Sequence, residues 1–174
     1  MTCIVAIAHE DKVYIGGERG NSDENIIVSS LAPKIFNKSF YLFGYAGNTG
    51  LGQLVAHTFD APTIRVNTDT YKYVYNFFIP ALRDHLKDYL SDKEEHQASF
   101  ILGIRGKVFE IDTGDFQCVE YQELAIGSGA AYAYGSLHTT YNYDIPIVDR
   151  ITIALDAAIT YSTTCQGPID ILDL

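Results

Sequence analysis

The sequence is short of positive charge. Its 12 lysines and arginines stand against 22 aspartates and glutamates, a formal net charge of −10. Such a chain offers no basic footprint to nucleic acid or to an anionic membrane surface, and its acidity reads as solubility. Apolar runs are short as well, none approaching the roughly 20 residues of a bilayer-spanning helix. No basic stretch followed by an apolar one and a cleavage site opens the chain, so no secretory signal is expected. Cysteine is scarce and scattered: Cys3, Cys118 and Cys165 are odd in number and form no CxxC. Reduced thiols in a cytoplasmic compartment are the simplest reading. The histidines (His9, His57, His85, His96 and His138) make no HExxH and no paired Cys/His spacing, which argues against a zinc centre. No motif implies a cofactor.

What is present describes a globular chain. Hydrophobic residues make up 47% and charged residues 20% of 174 residues, enough for one domain over residues 1–174 with a full core. Residues 2–9 and 13–18 read as strands joined by a turn at Glu10-Asp11-Lys12, followed by a polar stretch at 19–25. Further strands are expected at 26–30 and 40–46, with a turn at Asn37-Lys38-Ser39. A short helix is predicted at 49–59. A longer one spans 68–90, where Tyr71, Val74, Tyr75, Phe78, Leu82, Leu86 and Leu90 recur at three- and four-residue steps; Pro80 predicts a kink or break within it. The charged stretch 87–97 reads as a solvated helix end or loop. Residues 99–105 and 107–112 flank Gly106 as a second hairpin, which 116–121 and 124–126 continue. Helices at 130–141 and 148–163 and a last strand at 169–174 complete the pattern. Strands and helices are segregated, which predicts an α+β layered sandwich.

Several polar residues stand out. Thr2 heads the apolar run Thr2-Cys3-Ile4-Val5-Ala6-Ile7-Ala8. Removal of Met1 would give it a free α-amine, so that one residue supplies both nucleophile and base. Glu18 ends an apolar strand, and Lys34 sits between Pro33 and Ile35. A cation near a threonine hydroxyl stabilises the alkoxide, and a carboxylate holds that cation in place; each charge taken singly is equally an ordinary solvated strand end. Phe43-Gly44-Tyr45-Ala46-Gly47-Asn48-Thr49-Gly50 closes a strand and opens a helix. Its amides can receive an oxyanion, or it is simply a tight strand-to-helix turn. Residues 125–135 (Ala-Ile-Gly-Ser-Gly-Ala-Ala-Tyr-Ala-Tyr-Gly) are glycine-rich but lack the GK[ST] ending of a phosphate loop.

In joint spacing these residues resemble the proteasome β-type subunits and HslV-like peptidases, the N-terminal-threonine branch of the Ntn hydrolases. The likeness runs from the threonine-headed strand through Ile15-Gly16-Gly17-Glu18-Arg19, Lys34, the glycine segment at 43–47 and the GSG segment to Gly167-Pro168-Ile169-Asp170-Ile171. It implies a four-layer αββα sandwich of two packed antiparallel sheets flanked by helices. It also implies Thr2 as nucleophile with its amine as base, Glu18 and Lys34 as the activating ion pair, the Gly44 amide as oxyanion donor and Ser128 as a hydrogen-bond partner of the amine. The implied reaction is peptide-bond hydrolysis through an acyl ester on Thr2.

One segment departs from the family. Proteasome subunits carry an Asp-x-x-Ser pair near the end, where this chain has Ser162 and Cys165. HslV also lacks that aspartate and binds a monovalent cation through backbone carbonyls in this segment, so a cation near Ser162 and Cys165 is implied, while Glu18-Arg19 and Glu24-Asn25 look closer to an archaeal β-subunit. By position, Ser22, Ala32, Phe36, Leu42 and Ala46 would line an apolar first substrate pocket. The implied partners are polypeptide substrates, further copies of the chain in stacked six- or seven-fold rings, and an AAA+ unfoldase ATPase. The alternative is a non-catalytic assembly subunit that keeps Met1, and a small-molecule amidase is a third reading.

Overall fold

The strand that follows Thr2 is apolar from Ile4 to Ala8 because both of its faces are covered there. Ile4, Ala6 and Ala8 point into one core, and Cys3, Val5 and Ile7 into another. The computed structural model describes residues 2–22, 26–90 and 97–174. Along these the strands are β1 (Ile4–His9), β2 (Lys12–Glu18), β3 (Gly20–Ser22), β4 (Ile27–Ser29), β5 (Ile35–Asn37), β6 (Leu42–Gly47), β7 (Ala98–Ile104), β8 (Lys107–Asp112), β9 (Cys118–Tyr121), β10 (Glu123–Ile126) and β11 (Ile169–Asp173). The helices are α1 (Thr49–Thr58), α2 (Thr70–Tyr73), α3 (Ile79–Leu86), α4 (Ala130–Thr140) and α5 (Ile147–Tyr161).

Two antiparallel sheets form the middle of the molecule, one ordered β10-β1-β2-β11 and the other β5-β6-β7-β8-β9. Ile4, Val13, Ile15, Ile35, Leu42, Ile101, Val108 and Leu124 fill the space between them. α4 and α5 cover the outer face of the first sheet, packing Ala133, Leu137, Ile151 and Leu155 on Val5 and Ile7. α1, α2 and α3 cover the outer face of the second through Val55, Phe59, Phe78 and Leu82. The result is the four-layer αββα sandwich of the α+β class. α5 lies close to its sheet because Gly16 has no side chain; a Cβ there would come within 2.4 Å of Ile151 Cγ2.

Both expected hairpins form with the same turn. Glu10 and Asp11 have φ of 48° and 63°, and Arg105 and Gly106 have 49° and 72°. Positive φ at both central residues is the type I′ geometry, whose twist matches that of paired strands.

Other elements differ from expectation. The helix over 68–90 is not broken at Pro80. A π-helical turn, Val74–Phe78, joins α2 to α3, and the Ile79 N–H reaches five residues back to the Val74 carbonyl. That extra residue re-phases the helix so that proline enters in the first turn of α3, where its missing N–H matters least. Residues 20–22, expected as polar coil, pair with β4. β5 lies where only a turn was expected to follow, because its three residues are too few to show a period. β9 continues the second hairpin but β10 does not: it crosses to the first sheet and pairs with β1. Met1, Glu24-Asn25 and positions 91–96 of the charged stretch lie outside the described residues. Among the described residues no helix is long and apolar enough to cross a membrane.

Candidate active site

Thr2 is buried at the head of β1, and three segments distant in sequence converge on it. The first supplies charge. Glu18 closes β2 with a wholly buried side chain, and Lys34, just before β5, is 6% exposed at its side chain. Glu18 Oε1 accepts from Lys34 Nζ at 2.7 Å and from the Cys3 N–H at 3.2 Å. Oε2 accepts from the N–H groups of Gly20 at 2.5 Å and Gln166 at 2.8 Å. The Lys34 ammonium also donates to the Gly20 carbonyl. A buried ion pair is tolerable when its remaining hydrogen-bonding capacity is met in this way. The ammonium and the Thr2–Cys3 peptide therefore share one carboxylate oxygen, which places the cation beside Thr2.

The second segment supplies hydroxyls. The Thr2 N–H donates to Ser128 Oγ at 3.2 Å, and the Thr2 carbonyl accepts from the Gly129 N–H at 3.2 Å. Gly127 permits this approach: its φ is +92°, and a Cβ there would lie 2.2 Å from the Thr2 carbonyl oxygen. A side chain at that position would be strained and would also collide.

The third segment is 162–166. Ser128 Oγ lies 2.7 Å from Thr164 Oγ1, which lies 2.8 Å from Ser162 Oγ. Sequence comparison singled out Ser162 and Cys165 here. The structure puts Ser162 at the far end of the hydroxyl chain and Cys165 beneath it, buried with Cys3 in the core under α5 and within hydrogen-bonding reach of Ser162 and Thr164. The bridge is Thr164, which sequence reasoning missed; the run Tyr161-Ser162-Thr163-Thr164 was the available signal. Burial, with Cys165 and Glu18 nearby, pushes the Cys3 thiol far above its ordinary range, so it is inert beside Thr2. The carbonyls of Gln166 and Gly167 accept from the Arg19 N–H and the Ser29 hydroxyl. The cation implied near Ser162 and Cys165 would be held by backbone carbonyls of this segment, oxygen donors of suitable chemistry. Among the described residues no group of three or more His, Cys, Asp or Glu side chains could hold a metal.

Gly44 is not at this end of β6. The Tyr45 N–H donates to the carbonyl of Lys34, just before β5, at 3.2 Å, and N–H direction alternates along a strand. The Gly44 N–H therefore points to β7, where Gly44 stands opposite Ile101. Its Cα faces Ile4, Ile15 and Ile35 in the inter-sheet core. Gly47, last in β6, has its N–H on the same edge as Tyr45, past the start of β5. With Ala46, Ser99, Asp112 and Gly127 it lines a hollow of about 230 Å³.

The expected pocket residues divide by the same alternation. Leu42 is fully buried between the sheets and lines no opening. Ala46 is buried on that same face, next to Gly127. Phe36 points to the helix side, where it stacks on Tyr45 and meets the edge of His57. Ala32 is exposed ahead of Lys34. Ser22 ends β3, and its buried Oγ has no hydrogen-bond partner among the described residues.

Known proteins share this architecture. The chain is similar to Thiobacillus denitrificans BPH in complex with epoxomicin, with a TM-score of 0.82 at 16% identity over 99% of this chain and 98% of that one. A second structure of Thiobacillus denitrificans BPH gives a TM-score of 0.82 at 15% identity, covering 99% of this chain and 97% of that one. Eukaryotic HslV from Trypanosoma brucei gives a TM-score of 0.70 at 20% identity over 99% of each chain. The model of the proteasome subunit family matches residues 1–163. The chain belongs to the proteasome subunit family.

Proposed function

We propose that this chain is a threonine-type endopeptidase that hydrolyses peptide bonds through an acyl ester on Thr2, once Met1 is removed. The observation that carries the reading is the convergence on Thr2 of a buried Glu18–Lys34 pair and the Ser128 hydroxyl. The α-amine of a processed Thr2 titrates near neutrality and takes the proton from Oγ1. Oγ1 then attacks the substrate carbonyl carbon. The Lys34 cation stabilises the developing alkoxide, and Glu18 holds that cation in place. The Gly47 N–H, aimed past the start of β5, is the oxyanion donor in this scheme, in place of Gly44. The ammonium returns its proton to the leaving nitrogen as the C–N bond breaks, leaving the acyl ester on Oγ1. Water, deprotonated by the same amine, attacks the ester and restores Thr2. A monovalent cation on backbone carbonyls near Ser162 and Cys165 would steady the segment that carries Thr164.

Residues 1–174 act as one domain in this reading, in the cytoplasm. Copies stack in six- or seven-fold rings around a chamber, and an AAA+ unfoldase delivers polypeptide. The exposed aromatic side chains of Tyr132, Tyr134 and Tyr161 on α4 and α5 and of Tyr75 and Phe77 in the π-helical turn support burial against other copies. Intact-mass measurement combined with a peptide-cleavage assay tests the proposal. A Met-free protein that cleaves, and a Thr2→Ala form that does not, are expected. Retained Met1 with no cleavage would replace it with the non-catalytic assembly subunit.

A further inference from the structure

The hydroxyls that meet the Thr2 nitrogen form a line: Thr2 N, Ser128 Oγ, Thr164 Oγ1 and Ser162 Oγ, with separations of 3.2, 2.7 and 2.8 Å. Each hydroxyl has a single proton to place. A Ser128 proton directed at the amine would occupy the lone pair that must act as base. The alternatives are the Thr2 carbonyl, at a long 3.4 Å and already bonded by the Gly129 N–H, or Thr164 at 2.7 Å. Thr164 in turn can pass its own proton to Ser162 Oγ.

We propose that Thr164 is a positioning residue that takes the Ser128 proton, so that Ser128 faces the Thr2 amine with lone pairs alone. One amine N–H is then fixed on Ser128, and the amine lone pair turns toward Thr2 Oγ1. The inference rests on the peptidase reading above and adds a residue that acts only through Ser128. The ionisable groups around the amine are Glu18 on β2, Lys34 before β5, the thiols of Cys3 and Cys165, and Asp112 across the Gly127 hollow. Of these, the Cys165 thiol is itself within hydrogen-bonding reach of Thr164 and Ser162, and Thr164→Ser keeps that contact.

The test uses Met-free protein. Thr164→Val keeps the side-chain shape and removes the hydroxyl. It is expected to lower kcat about tenfold, the value of one net hydrogen bond, with KM unchanged. The Thr2 amine, followed by NMR titration of its ¹⁵N shift, is expected to titrate lower by roughly half a unit, because a donor now meets its lone pair. Thr164→Ser should restore both readouts. The double variant Ser128→Ala/Thr164→Val should be no slower than Ser128→Ala alone. Cleavage and titration unchanged in Thr164→Val, or full additivity in the double variant, would overturn the inference while leaving the peptidase reading standing. Wild-type protein that keeps Met1 or fails to cleave would overturn both.

Discussion

Two polar regions meet at Thr2, and they are built on opposite principles. The Glu18–Lys34 pair carries full charges and is almost wholly dry. The Ser128–Thr164–Ser162 line carries no charge and sits half open to solvent. Charge survives burial here only because main-chain N–H groups from Cys3, Gly20 and Gln166 surround the carboxylate; the fold is committed to those bonds. Neutral hydroxyls need no such enclosure, so the second region can stay adjustable. In the proposed reaction the first region supplies Thr2 with its electrostatics, and the second gives its nitrogen an orientation.

Breaking the charged region should have the largest effect. Lys34→Met leaves Glu18 as an uncompensated buried anion. Peptide hydrolysis should disappear, and denaturant unfolding should show a loss of about 3–5 kcal/mol. Gly127→Ala comes next: it forces a Cβ into the Thr2 carbonyl at a positive φ. A loss of about 1–3 kcal/mol and a fall in kcat are expected, read by thermal melts and steady-state kinetics. Ser128→Ala sharpens the contrast. It should slow turnover roughly 10²-fold yet cost no more than about 1 kcal/mol of stability, without the large stability loss that accompanies Lys34→Met.

The smallest effect belongs to Cys118, remote from both regions. Burial lifts its thiol from 9.0 to about 11. The folded-state value lies above the unfolded one, so the thiol's contribution is complete below pH 9 and is lost as pH rises through about 11. Melting temperature should therefore fall less steeply across that window in Cys118→Ala than in the wild type.

Much of the fold was legible because it rests on local signals. The unbroken run after Thr2 reported a strand covered on both faces. The turns at Glu10-Asp11-Lys12 and at Gly106 separated clear apolar runs, though Arg105, read as a strand end, shares the second turn. Glu18 and Lys34 were legible as a pair only through their spacing from Thr2, and the structure supplies the contact. Edge direction left no trace in the sequence: whether Gly44 or Gly47 offers an outward N–H depends on the register of β6 against a three-residue β5. Leu42 was misplaced for the same reason, since register decides which face of β6 it occupies. Thr164 was hidden between the two positions that comparison with relatives singles out. The π-helical turn was hidden because Pro80 signals interruption but not the inserted residue that absorbs it.

The Glu18 carboxylate has one further consequence. It accepts from Gln166, 148 residues away, while the Thr2 nitrogen is held by Ser128 and through it by Thr164. The surroundings of Thr2 are thus set by contacts that span 126 and 148 residues. Contacts of such sequence separation are slow to form, so Thr2 acquires its neighbours only as the sandwich closes.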